Sequence, residues 1–166
     1  YPNNVGFKNG LAISCQYLGN THASLGNLEK ALHYFEDETV LFEQLYESYP
    51  NQVGFKNGLA ISYEKLGSTH ASLGNLDKAL KYFEDETLLF EELYESYPNQ
   101  VGFVYGLATS YIWMGWTNEK NNDKNSAKKA YSKAIPILDK LCKKTPIPRY
   151  TTQLNWVNEA IERVNL

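Results

Sequence analysis

The chain repeats itself with a period of 48 residues. The segment Tyr1-Pro2-Asn3 recurs at 49–51 and again at 97–99. Residues 1–48 and 49–96 are identical at 39 of 48 positions, and residues 97–144 match the second unit at 17 of 48. Residues 145–166 do not follow the repeat. A supersecondary unit that recurs at such a period buries its apolar face against its neighbours, so the period predicts stacked units.

Each unit has the pattern of two helices. On the first helix of the second unit, one face carries residues spaced by 4 and 3: Leu59, Tyr63, Leu66, His70 and Leu73. Gly74 suits a left-handed helix end, and Asn75 then suits the start of the next helix. Pro50 and Pro98 end the second helices, because a residue before proline avoids the α conformation. The sequence predicts an all-α fold with seven helices, near 4–25, 28–48, 52–73, 76–96, 100–120, 124–144 and 149–165.

Residues at fixed offsets in each unit resemble the tetratricopeptide repeat. The second unit supplies Tyr63, Leu66-Gly67, His70, Gly74, Ala79 and Phe83. The first supplies Leu18-Gly19, Gly26, Ala31 and Phe35, and the third supplies Tyr111, Met114-Gly115, Ala127, Tyr131 and Ala134. The resemblance implies a right-handed superhelical solenoid of antiparallel helix pairs. We expect a single domain over residues 1–166, with repeats 1–48, 49–96 and 97–144 and a C-terminal capping helix in 145–166.

The repeat departs from the family in length and at one position late in the second helix. The family's usual period is about 34 residues, so each helix here is longer by about seven residues, or about two turns. Two added turns keep the same face inward, and we identify the chain as a long-helix variant, similar to arrays in larger bacterial proteins. Gly19 and its counterparts allow a facing helix to come close, and Phe35 and its counterparts fill the space. Glu38 and Glu86 stand where the family has a small residue.

The resemblance also implies a role in holding a peptide or partner protein in a concave groove lined by the first helices. The groove positions that we single out are Gln16, Tyr17, Asn20, Glu64, Lys65, Ser68, Ile112, Trp113 and Trp116. These residues occupy three positions per unit, and all three positions differ between the first two units: Gln16/Glu64, Tyr17/Lys65 and Asn20/Ser68. The differences fit either diversification for a ligand or neutral drift of exposed positions. Trp113 and Trp116 fit either a binding patch, where Trp is favoured, or packing beneath the C-terminal helix.

Other polar residues have structural interpretations. His22 and His70 lie on the apolar face with no Cys or third His beside them, which favours buried structural histidines over a metal site. The acidic runs 36–38 and 84–86 are expected on a solvated face. The sequence lacks a Gly-rich phosphate loop, a nucleophile elbow and an HExxH motif. We therefore predict no catalytic residues, no metal, no cofactor and no enzymatic activity.

Charge and hydropathy narrow the class of partner. The net charge is −3, which argues against nonspecific nucleic-acid binding, and no apolar run approaches the roughly 20 residues that span a bilayer. The two cysteines form no disulfide framework, which indicates a cytoplasmic protein. Residues 1–96 carry 6 basic and 14 acidic side chains, and residues 97–166 carry 10 and 5.

Two alternatives to partner binding remain open at this stage. Opposite charges at the two ends favour head-to-tail assembly into a homo-oligomer. The chain also fits a regulatory arm of an enzyme, as a fragment of a larger protein.

Overall fold

The computed structural model describes residues 4–165, and this part of the chain contains seven α-helices and no strand. The helices are α1 (Val5–Ser24), α2 (Leu28–Ser48), α3 (Val53–Ser72), α4 (Leu76–Ser96), α5 (Val101–Lys120), α6 (Lys124–Lys144) and α7 (Pro148–Asn165). Their bounds lie within one residue of those predicted, and they pack as consecutive antiparallel pairs. The predicted all-α class is confirmed.

Left-handed residues end the first helix of each pair. Gly26, Gly74 and Asn122 occupy the same repeat position and have φ values of 75°, 79° and 61°. Glycine adopts this conformation without a steric penalty, and asparagine tolerates it better than most residues. The backbone amide of Asn75 then donates to the His70 carbonyl at 2.8 Å, which satisfies one of the free carbonyls at the end of α3. The predicted helix stop at Gly74 is confirmed.

The folded chain divides into two compact structural units, which do not coincide with the three sequence repeats. The first structural unit ends at Leu89 and the second begins at Phe90, within α4. In the first unit, the side chain of Lys8 donates to Gln44 at 2.9 Å, near one end of the α1–α2 pair. Gly19 faces Phe35 near the other end of that pair. These contacts fix α1 and α2 as antiparallel neighbours.

In the second unit, α7 packs on α6. Trp156 lies edge-on to the Tyr131 ring, with 5.8 Å between the ring centroids. Arg163 donates to Glu119 at 3.2 Å, so α7 also reaches α5. Val157 and Ala160 are fully buried, as expected for a helix that covers the apolar face of its neighbours.

Aromatic rings seated on glycines hold the two helices of each pair together. A Cβ atom added to Gly19 would lie 2.4 Å from the Phe35 ring, and one added to Gly67 would lie 2.6 Å from the Phe83 ring. The same arrangement joins Gly115 to Tyr131. No side chain fits in these spaces, so the predicted role of these glycines in close helix approach is confirmed.

A second set of glycines, which the sequence analysis missed, joins one pair to the next. A Cβ atom at Gly58 of α3 would lie 2.4 Å from the Phe42 ring of α2. At the equivalent place in the second unit, the Phe90 ring lies on Gly106 of α5. Tyr63 adds a hydrogen bond to Glu43 at 3.1 Å across the α2–α3 contact. The same geometry therefore serves both kinds of contact.

Candidate partner-binding site

Residues from four helices meet around two buried carboxyl groups in the first unit. Glu38 of α2 and Glu86 of α4 are fully buried. Gln16 of α1 donates to Glu38 Oε1 at 2.9 Å, and Lys65 of α3 pairs with Glu64 at 3.7 Å. The positive charge of Lys65 acts on both buried carboxyls. We call these five residues the polar cluster; three of them are predicted groove residues.

Burial governs the protonation of the polar cluster. It raises the pKa of Glu38 to about 7, although the Gln16 hydrogen bond and the Lys65 charge act in the opposite direction. It raises the pKa of Glu86 well above its usual range; the Glu64 carboxylate adds to this shift and Lys65 opposes it. Both oxygens of Glu86 lack a hydrogen-bond partner within residues 4–165. Desolvation disfavours the charged form, so burial without a hydrogen-bond partner favours the neutral acid at Glu86.

The expectation that the acidic runs lie on a solvated face is wrong for Glu38 and Glu86. It is correct for Glu36 and Glu84, which are exposed. The buried stripe of α2 follows spacings of 4 and 3 through Ala31, Phe35, Glu38, Phe42 and Leu45. Glu38 lies at the centre of this stripe, so helical geometry places its side chain in the core despite its charge.

The third repeat lacks the polar cluster at both matched positions. Ala134 occupies the place of Glu38 and Glu86, and Ile112 occupies the place of Gln16 and Glu64. Both are buried, so Ile112, a predicted groove residue, offers little surface. In each repeat, this position of the first helix is thus polar where the second helix carries a buried Glu, and apolar where the second helix carries Ala.

The other predicted residues of the first unit are more accessible. The Tyr17 side chain is 68% exposed, and Asn20 and Ser68 are half-buried. The Ser68 hydroxyl donates to the backbone carbonyl of Lys65 at 3.1 Å. Tyr17 follows Gln16 directly along α1, so a large exposed ring lies next to the polar cluster in the sequence.

The two predicted tryptophans of the second unit lie together. The rings of Trp113 and Trp116 meet edge to face, with 5.9 Å between centroids and an interplanar angle of 88°. Lys120 Nζ lies 5.6 Å from the Trp116 ring centroid. Both tryptophans are half-buried and keep part of their surface accessible. An aromatic pair beside a cation is suited to contact with a partner side chain.

The histidines pack as part of the core. His22 stacks on Tyr34 at 5.5 Å, and His70 stacks on Tyr82 at 5.6 Å. Burial lowers the pKa of His70, which favours its neutral form. Among residues 4–165, His, Cys, Asp and Glu form no group of three placed to hold a metal ion. In the same part of the chain, every helix is too short or too polar to cross a membrane.

Parts of the chain are similar to known repeat proteins. Two segments, residues 60–85 and 108–137, match the family model of the tetratricopeptide repeat. Among solved structures, the chain is similar to the de novo designed helical repeat protein DHR64, with 13% identity, a TM-score of 0.46, and coverage of 97% of this chain and 94% of that chain. It is also similar to the DHF79 filament, with 11% identity, a TM-score of 0.41, and coverage of 93% and 83%. No curated protein matches the chain. The chain thus carries two segments that match tetratricopeptide repeats, within an all-helical fold of consecutive antiparallel pairs.

Proposed function

We propose that this chain is a protein-interaction scaffold that binds a peptide or partner protein through its first helices. The proposed groove face is defined in each unit by itself. In the first unit its residues are Gln16, Tyr17, Asn20, Glu64, Lys65 and Ser68, and in the second unit they are Ile112, Trp113 and Trp116. The observation that carries the proposal is the convergence of Gln16, Glu64 and Lys65 in one polar cluster, although they come from two separate helices. The two tetratricopeptide matches support it.

The chemistry of the groove face indicates a mixed polar and apolar partner segment. Lys65 and Glu64 each keep more than a quarter of the side chain exposed, so they offer one cation and one anion. Tyr17 and the two tryptophans offer rigid aromatic surface, which contributes much of the binding energy in protein interfaces. We propose a cytoplasmic protein whose partner is a protein or peptide rather than nucleic acid or membrane, with no cofactor, metal or catalytic residue of its own.

Loss of the aromatic groove residues is expected to weaken partner capture. We expect a Tyr17→Ala/Trp113→Ala variant to capture its partner from an extract of the source cells at least about tenfold less than the parent chain, since aromatic hot spots each contribute about 2 kcal/mol or more. The measurement is quantitative mass spectrometry of the captured proteins, with circular dichroism to confirm that the variant is folded.

The matched control changes exposed apolar residues on the second helices. Val40 and Leu88 are well exposed on α2 and α4, so a Val40→Ala/Leu88→Ala variant removes apolar surface elsewhere. It is expected to capture the same partner as the parent. Equal capture by the groove variant and the control would refute the groove face.

Light scattering over a concentration series at low and high salt tests the homo-oligomer alternative: a constant monomer mass excludes assembly.

A further inference from the structure

One face of α1 is open although the same sequence is covered elsewhere in the molecule. Phe7, Leu11 and Leu18 are 70%, 55% and 45% exposed. Leu59 and Leu66, the counterparts of the two leucines in α3, are 4% and 2% exposed. The two helices differ at only four positions, so the difference in burial comes from the neighbouring helix and not from the residues themselves. We call Phe7, Gly10, Leu11, Ser14 and Leu18 the open face of α1.

The equivalent face of α3 is covered by α2 and the residue that follows it. On α3, the Phe42 ring occupies the space above Gly58, and Tyr49 lies against Phe55 with 6.1 Å between ring centroids. Leu45, three residues after Phe42, is buried. The contact recurs in the second unit, where Phe90 lies on Gly106 and Tyr97 lies against Phe103 at 5.8 Å. The covering helix thus has Phe, then Leu three residues later and Tyr seven residues later.

The space above Gly10 is empty in the described chain. No atom of another helix lies within 4 Å of the place where its Cβ would stand. An open depression of about 1080 Å³ follows this face, lined by residues of α1 and by Leu41 of α2. Its apolar lining of Phe7, Leu11 and Leu41 is suited to an aromatic side chain, as at Gly58.

We propose that the open face of α1 binds an amphipathic helix of a partner protein that carries the same Phe, Leu and Tyr pattern as α2 and α4. The Phe of that helix occupies the space above Gly10, as Phe42 does above Gly58. A second folded copy of this chain does not offer such a helix, because Phe42 and Phe90 are already buried in their own contacts. This face lies on a different side of α1 from Gln16, whereas Tyr17, seven residues after Gly10, lies at its edge.

One sequence difference between α1 and α3 distinguishes the helix that α1 would bind from the helix that packs on α3. Cys15 stands where α3 has Tyr63, whose hydroxyl donates to Glu43 of α2. Cys15 is buried and offers no phenolic hydroxyl to a carboxylate. A helix bound to α1 therefore needs the Phe, Leu and Tyr but gains nothing from an acidic residue at the position of Glu43.

A peptide of residues 36–50 tests the proposal. It starts after Phe35, so it lacks the ring that packs on Gly19, and a lactam between positions 40 and 44 keeps it helical without touching the contact face. We expect fluorescence anisotropy to show saturable binding to the parent chain. Binding is expected to fall at least about tenfold for the Gly10→Leu chain, and for the peptide with Phe42→Ala, because each change removes the ring from its space. The peptide with Glu43→Ala is expected to bind within about twofold of the parent peptide.

Three results would overturn the proposal. The first is equal peptide binding by the parent and Gly10→Leu chains, both folded by circular dichroism. The second is no binding up to about 1 mM peptide, an affinity too weak for a docking surface. The third is a dimer of the chain that Gly10→Leu abolishes and the peptide does not compete with, which would make a second copy the occupant.

Discussion

We expect the Glu38→Gln/Glu86→Gln variant to be more stable than the parent chain at pH 8, by about 3 kcal/mol or more. The shift in the Glu38 pKa from 4.5 to about 7 corresponds to about 3 kcal/mol when the group is ionised in the unfolded chain. Burial also raises the pKa of Glu86, so Glu86 adds to the effect in the same direction. Glutamine has nearly the shape of the protonated acid and does not ionise, so ionisation at these positions no longer favours the unfolded chain.

The pH dependence of this effect has a definite sign. Below about pH 4.5 both carboxyls are protonated in the folded and unfolded chains, and the two proteins are expected to be about equally stable. Between pH 4.5 and 7 the unfolded chain releases protons that folded Glu38 and Glu86 keep, so the stability of the parent falls as the pH rises. Above pH 7 the contribution of Glu38 levels off, because its carboxyl then ionises in the folded chain as well.

Urea unfolding from pH 4 to pH 8 measures this difference. A Glu36→Gln/Glu84→Gln variant is the control, since it removes two exposed carboxylates from the same helices. We expect the control to change the free energy of unfolding by less than about 0.5 kcal/mol, as surface substitutions usually do. A parent whose stability is constant from pH 4.5 to 7, or a Gln variant that is less stable at pH 8, would contradict the burial of these acids.

The second large effect is the difference in stability expected between two variants, in which leucine replaces one of two glycines with identical flanking sequences. Residues 8–14 and 56–62 have the same sequence, so Gly10→Leu and Gly58→Leu gain the same helix propensity, about 1 kcal/mol. At Gly58 the new side chain meets the Phe42 ring, 2.4 Å from the added Cβ. Overpacking of this kind costs about 1–3 kcal/mol and sometimes more. The space at Gly10 is empty.

We therefore expect Gly58→Leu to be destabilised and Gly10→Leu to be as stable as the parent or slightly more stable. The difference between the two variants, about 1–3 kcal/mol or more, reports the aromatic contact alone, because the propensity gain is common to both. Urea unfolding of the two variants at one pH gives this difference. Equal stability would mean that the Phe42 ring does not lie on Gly58.

Helix positions were predictable because local residues determine them. The helix stop at Gly74 follows from the conformational freedom of glycine, and Pro50 and Pro98 limit the helices that precede them, so the predicted bounds lie within one residue of the observed ones. The contacts of Phe35, Phe83 and Tyr131 followed from matched family positions. The contact of Phe42 with Gly58 was missed, although its signal was present: Phe90 and Gly106 repeat the same pair at the same separation of 16 residues.

The candidate site was less predictable because burial overrides the usual preference of a residue type. Gln16, Glu64 and Lys65 were chosen by position, and the structure brings them together. Their buried partners, Glu38 and Glu86, were assigned to solvent because charge was given more weight than helical spacing. That spacing alone places Glu86 between Phe83 and Phe90 on one face. The partial burial of Trp113 and Trp116 does not follow from local pattern, because it depends on the residues packed around them.

The central claim is that aromatic rings seated on glycines hold successive helices together throughout the repeats. Proton NMR tests it directly, because a ring above a glycine shifts the α-proton resonances of that glycine upfield and gives nuclear Overhauser contacts to the ring. We predict both signals at Gly19, Gly58, Gly67, Gly106 and Gly115 and neither at Gly10. Ring contacts at Gly10, or their absence at Gly58 and Gly106, would contradict the account.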